Sequence, residues 1–400
     1  MVTTESVDIA IVGGGMVGMA TAIGLANAGF QVGIVDRAAA QPVSGEPRLR
    51  VSAINRASEQ WLRELGAWQL LPKERLSPYN GMQVWDKDNL AGIEFHAEDL
   101  AQPDLGHIVE NDTLAYALWQ RAEQTKGIKL FVATPQGVAV SERDAWLNLD
   151  NGTMLTAQLV LAADGANSWL RQQCQIPLSF RDYGHHALVG TVRTQQPHGG
   201  VARQVFLPDG PLALLPLNDP NLCSIVWSQS PAQAEQRAQL TADEFNLAIS
   251  VATESRLGHI QVESARPVFP LMMRYARDFV RPRIALMGDA AHTIHPLAGQ
   301  GVNLGFGDSI AMVQLLSEAK GSDWDIGAER LLKRYERRRQ AAAQEMLVAM
   351  DGFRWLFAGT NPLKQMVRGL GMNLVDKAGS VKNQLLSHAL GLSATNNNRL

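Results

Sequence analysis

The chain has 400 residues, too many for one ordinary core, so two or three domains are expected. A hydrophobic fraction of 46% with 19% charged residues excludes a wholly disordered chain, and 36 basic against 39 acidic residues (net −3) leaves no global positive field of the kind a dedicated nucleic-acid binder uses. Cys174 and Cys223 are too few for a disulfide framework and lack metal-ligand spacing. At the front, the apolar stretch 9–28 is broken by Gly13, Gly14, Gly15 and Gly18. It has neither a basic leader nor a cleavage pattern, so it does not read as an export signal. No run of about 18 uninterrupted apolar residues appears, so no spanning helix is expected. The default expectation is a cytoplasmic protein with reduced thiols.

Residues 7–12 (VDIAIV) are short, apolar and β-branched, which suits a buried parallel strand. Gly13, Gly15 and Gly18 then form a GxGxxG turn, 16–28 read as a helix, and 30–35 (FQVGIV) as a second strand ending at Asp36. Each glycine has a physical task. Gly13 permits the tight turn, Gly15 lets a pyrophosphate approach the backbone, and Gly18 lets helix and strand pack closely. Asp36 stands where a carboxylate accepts hydrogen bonds from ribose hydroxyls. This unit predicts dinucleotide binding, with NAD and FAD both open at this point.

Two later segments repeat the theme of a strand running into a glycine–acid turn. Residues 159–163 (LVLAA) lead to Asp164 and Gly165, then Ser168 and Arg171. Residues 283–287 (RIALM) lead to Gly288 and Asp289, then His292, His295 and Pro296. Gly299, Gly301, Val302 and Asn303 follow and open a helix to about 318, whose positive end favours an anion. Asp289, His292 and His295 resemble metal ligands in composition, but Pro296 and the glycines disfavour one helical face carrying all three, so no metal site is expected.

The three motifs, GxGxxG, DGxxSxxR and GDxxHxxxP in that order, resemble those of the class A flavoprotein monooxygenases, the p-hydroxybenzoate hydroxylase-like group. The resemblance covers about residues 5–335. It implies an α/β fold with a Rossmann-like FAD-binding domain, an inserted, mostly antiparallel β-sheet substrate domain and a C-terminal helical region. It further implies that Asp36 and Asp289 hold FAD, that Arg50 lies near the cofactor, and that Asp164 contacts it. NAD(P)H is then the transient electron donor, because only one strand–GxGxxG–helix unit occurs; a redox partner protein stays open. Asn111 departs from the arginine many relatives carry, so that contact does not transfer. Segments 49–55, 106–111 (GHIVEN), 290–305 and 359–362 are similar to the ubiquinone-biosynthesis hydroxylases. Residues 82–88 and 182–187 (DYGHHA) bring the chain nearest to the VisC-like aerobic 2-polyprenylphenol hydroxylases.

That resemblance implies O2-dependent hydroxylation of a polyprenylated phenol through a flavin C4a-hydroperoxide. Three alternatives stay open: hydroxylation of another ring position in the same pathway, a FAD dehydrogenase or oxidase, and a catalytically silent flavoprotein subunit. No catalytic base stands out; His295, Pro296, Tyr183 and His185 are the candidates. The expected divisions are a FAD domain from 1–75, 100–180 and 270–335, a substrate domain from 76–99 and 181–269, a helical region over 336–392 and a disordered tail over 393–400. The basic run 330–339 (RLLKRYERRR) reads as a solvated helix face. Its alternative is attraction to an anionic membrane, which with a long prenyl substrate would place the protein at the inner membrane face. Contact with a ubiquinone-biosynthesis complex and a homo-oligomer are further alternatives.

Overall fold

A computed structural model describes residues 3–87, 92–293 and 301–357, with side chains as far as residue 348. Among the described residues the strands form sheets of eight, nine and three.

The N-terminal apolar run becomes the strand Thr3–Val12, in the interior of the eight-stranded sheet. It pairs in parallel with Val32–Asp36 on one side and Thr153–Ala162 on the other. Ile9, Ala10 and Ile11 are fully buried, as a strand covered on both faces requires. The helix Met16–Asn27 is buried continuously from Gly18 to Leu25. It is sandwiched between this sheet and the helices Asn111–Gln124 and Gly301–Gly321. Ile284–Leu286 pairs in parallel with Thr153–Ala162. Register now matters: Val12 is opposite Ala162, and Ala162 is opposite Leu286. Three strands far apart in sequence therefore end at one level, and the turn that follows each opens on the same edge of the sheet. Ligands collect at such carboxyl edges.

The nine-stranded sheet is antiparallel except where Gly81–Asp86 runs parallel to Val201–Leu207. One face packs Leu188, Val192, Ile225 and Trp227 against Phe245 and Ile249 of the helix Ala242–Ala252. That helix starts at a capping box in which Thr241 and Glu244 satisfy each other's backbone N–H groups. The opposite face presents Ala202, Leu215 and Leu222 to Ala53 and Ile108 of the three-stranded sheet. The expected boundary at 269/270 falls inside one strand of this antiparallel sheet. Val268–Ala276 pairs along Leu178–Thr194 and then with His292–Thr293. The C-terminal helix likewise starts before 336, spanning Glu329–Phe357. Residues 358–392 and the tail 393–400 lie outside the described residues.

Candidate cofactor and active site

The first turn shows which glycines are compelled and which leave room. Gly13 has φ +108°, and a Cβ there would lie 2.3 Å from the Ala163 carbonyl oxygen. A Cβ on Gly18 would lie 2.0 Å from the Gly13 oxygen, so the helix touches the turn through bare backbone. Gly15 is different: a Cβ built on it meets nothing within 4 Å. Empty space at this helix N-terminus is what an approaching diphosphate needs. Asp36 ends its strand, where its Oδ2 accepts the Gly14 N–H at 2.6 Å and Oδ1 accepts the Ala38 N–H at 3.2 Å. The acid thus braces the glycine turn from the place where a ribose would sit.

The second and third turns are stitched together by one buried side chain. Arg171 donates from Nη1 to the Ala290 oxygen at 2.9 Å and from Nη2 to the Ala166 oxygen at 3.0 Å. Burial lowers its pKa, with Arg274 adding to the effect and Asp164 opposing it. Ser168 caps the short helix Trp169–Gln173 by accepting the Arg171 N–H. Asp164 uses Oδ2 for the Leu170 N–H at 3.1 Å, while its buried Oδ1 has no hydrogen-bond partner among the described residues. An acceptor left unsatisfied at this edge fits a ligand hydroxyl or N–H.

Asp289 is exposed to solvent, yet surrounding protein removes enough water to raise its pKa, with Asp308 adding to the effect; His292, Arg50 and Arg274 pull in the opposite direction. Arg50 and Asp289, paired only as a resemblance in the sequence, are therefore electrostatic neighbours. Asn111 holds that arrangement: its N–H donates to the Arg50 oxygen at 2.9 Å and its Oδ1 accepts the Ser52 hydroxyl at 2.7 Å. Gly301, Val302 and Asn303 form the first turn of the helix Gly301–Gly321, which carries no acid there. The Asn303 side chain is committed elsewhere. Its Oδ1 accepts the Asn55 N–H at 3.1 Å and its Nδ2 donates to the Ala53 oxygen at 2.8 Å. It pins the strand Val51–Asn55, leaving the backbone rather than the side chain to face a cofactor.

Sequence reasoning passed over Asp308, which is fully buried. Its Oδ2 accepts the Gly288 N–H at 2.8 Å and lies 2.7 Å from His292 Nε2; its Oδ1 accepts Arg339 Nε at 2.5 Å. Burial alone would raise its pKa, but His292 and Arg339 hold it below the ordinary carboxylate value. The available signal was a lone acid seven residues, about two helical turns, after Gly301.

The catalytic candidates fare unevenly. His295, Pro296 and the cofactor candidate Gly299 lie outside the described residues. Tyr183 is buried in a bulge of the strand Leu178–Thr194, packed with Ala187 and Leu271. His185 is half-buried near Gly210. Among the described residues one group has metal-like composition, Glu59, Asp104 and His107, but Arg56 bridges both acids and Arg63 takes Glu59. Two guanidinium groups already neutralise the carboxylates a cation would need.

Residues 6–349 match the family described as FAD binding domain. The chain is 40% identical to the 3-demethoxyubiquinol 3-hydroxylase of Escherichia coli (strain K12), over 98% of this chain and 100% of that one. It is 35% identical to the mitochondrial ubiquinone biosynthesis monooxygenase COQ6 of Danio rerio, with 96% and 90% covered. The protein belongs to the FAD-dependent ubiquinone-biosynthesis hydroxylases. This hydroxylase also shares its fold with p-nitrophenol 4-monooxygenase PnpA from Pseudomonas putida DLL-E4, at a TM-score of 0.76 and 18% identity over 96% of this chain and 98% of that one.

The site of the hydroxylase fits FAD on its own chemistry. Among the described residues there is open space at Gly15 and Gly301, an unsatisfied acceptor on Asp164, and basic side chains Arg50 and Arg274 within electrostatic reach of Asp289. Asp36 and Asp289 would hold the ribose and ribityl hydroxyls, and the first turns of the helices Met16–Asn27 and Gly301–Gly321 the charged or polarised groups.

Proposed function

We propose that the protein hydroxylates the aromatic ring of a polyprenylated ubiquinone precursor, and that this precursor is a demethoxyubiquinol-type quinol. The full-length 40% identity to a 3-demethoxyubiquinol 3-hydroxylase is the observation that carries the choice of ring position. Hydroxylation of 2-polyprenylphenol is the second reading, favoured by residues 82–88 and 182–187. Those segments lie largely on the strands Gly81–Asp86 and Leu178–Thr194 of the antiparallel sheet.

FAD, when bound, supplies activation of O2 after reduction by NAD(P)H. The chain's own part is binding, orientation and shielding. The first turn of the helix Gly301–Gly321 directs its positive end at negative charge on the reduced cofactor. Tyr183, Ala187 and Leu271, with Val226 and Met273 against them, form a small buried apolar cluster on the antiparallel sheet that would back the pocket for a prenylated ring. NAD(P)H binds transiently, since the single GxGxxG unit is taken by FAD. Work at the inner membrane face, where the substrate's tail resides, belongs to the same proposal; no helix among the described residues is long and apolar enough to cross a membrane.

The deciding experiment supplies the FAD-loaded protein with NAD(P)H, labelled O2 and either polyprenyl demethoxyubiquinol or 2-polyprenylphenol. One labelled oxygen on the ring of the quinol is expected. Labelling of the phenol alone would move the assignment to the second reading. Turnover without label in either product would sink the hydroxylase proposal in favour of a dehydrogenase.

A further inference from the structure

We propose that the C-terminal helix Glu329–Phe357 is a positioning element for FAD, acting through Arg339, Asp308 and His292. Two contacts from one stretch of this helix grip the segment that ends in the Gly288–Asp289 turn, and a third residue reaches the helix Gly301–Gly321. The Tyr335 hydroxyl donates to the Leu286 oxygen at 2.9 Å, and Glu336 Oε1 accepts the Phe279 N–H at 2.8 Å. Arg339 donates to Asp308 and also, from Nη2, to the Leu304 oxygen at 3.0 Å in the flavin-facing helix. Asp308 then passes the constraint on. One carboxylate oxygen holds Arg339, and the other holds both the Gly288 N–H and His292. The turn bearing Asp289 and the opening of the helix at Gly301 are thereby fixed to each other from behind.

The arrangement has little slack. The Asp308 side chain is fully buried and that of Arg339 is 9% exposed. A Cβ on Gly305 would lie 2.6 Å from Val17 in the first glycine-turn helix, so a shift of the Gly301–Gly321 helix is transmitted to the pyrophosphate turn. Removing the guanidinium would leave a buried carboxylate short of a partner, which costs more than the contact itself. Arg339 and Asp308 touch no cofactor atom in this scheme; they act through the backbone of Gly288 and the ring of His292.

FAD affinity of the full-length apoprotein, measured by quenching of flavin fluorescence, tests this. Arg339→Met is expected to raise the Kd about tenfold or more. Arg339→Lys, which keeps the charge but not the fork, should fall between it and wild type. Arg334→Met on the exposed side of the same helix should leave the Kd unchanged. An unchanged Kd in Arg339→Met overturns the proposal, as does an equal loss in Arg334→Met. If Arg339→Met does not fold, hydrogen exchange in the wild-type chain decides. FAD is expected to slow exchange over 336–343 together with 288–293. Protection confined to 288–293 would overturn the coupling while leaving FAD binding itself intact.

Discussion

Gly15 and Gly18 sit three positions apart in one turn, yet their substitution should fail in different ways. At Gly15 the backbone is ordinary (φ −75°) and the side-chain space is open. Gly15→Val should therefore fold, melt close to the wild-type apoprotein and lose FAD binding, because its branched side chain fills the diphosphate's approach. Gly18→Ala places a methyl 2.0 Å from a carbonyl oxygen. Its cost falls on the apoprotein itself, at about 1–3 kcal/mol or more, read by denaturant unfolding. Equal melting losses in the two variants would show that the turn is structural rather than a ligand cradle. Asp289 makes a pH-dependent case. Its folded pKa is raised by lost hydration, so the native apoprotein holds this proton more tightly than the unfolded chain. The resulting stability is fully present below the unfolded value of about 4 and is lost as pH rises through the folded pKa. Asp289→Asn apoprotein should thus melt higher than wild type at about pH 7, with the gap closing towards about pH 4, while its FAD affinity falls. A gap that widens on acidification would contradict the assignment.

Between elements, Arg171 is the fastener of two candidate cofactor turns. Arg171→Met keeps the bulk but removes the bonds to Ala166 and Ala290, and should lower stability by about 2–4 kcal/mol, with weaker FAD binding alongside. A stability change below about 0.5 kcal/mol would mean the turns are held by packing alone. The strands, glycines and acids of these turns were legible because local chemistry forces them: β-branched runs, compelled glycines and strand-end carboxylates. The partners that lock the turns were not. In the basic run 330–339, Leu331, Leu332, Tyr335, Glu336 and Arg339 turn inward, while Arg330, Arg334, Arg337 and Arg338 face water. The solvated-face reading holds for one side of that helix and misses the other. A charged residue at core spacing looks like surface until the tertiary contact with Asp308 is known. The three-stranded sheet was missed for a related reason: Val51–Asn55, Leu76–Tyr79 and Gly106–Glu110 are too short to announce a sheet without their partners.

At the scale of the whole molecule, the three candidate cofactor turns bring together the N-terminal, middle and C-terminal thirds of one chain. The apolar core beneath the three turns draws on residues from Val7 to Tyr335, whereas Trp227, Phe245 and Ile249 belong to a separate cluster across the antiparallel sheet. Ligand that binds only the native state stabilises it by mass action, about 2.7 kcal/mol at a hundredfold excess over Kd. This energy enters at the carboxyl edge of the parallel sheet, so it should appear first in the elements ending there. Hydrogen exchange in the strands Thr3–Val12, Thr153–Ala162 and Ile284–Leu286 should slow together on adding FAD, with the helix Ala242–Ala252 changing far less. Equal protection of that helix would show that the two clusters unfold as one cooperative unit. Protection of only the first strand would mean that the three strand ends, though level in register, do not share one ligand.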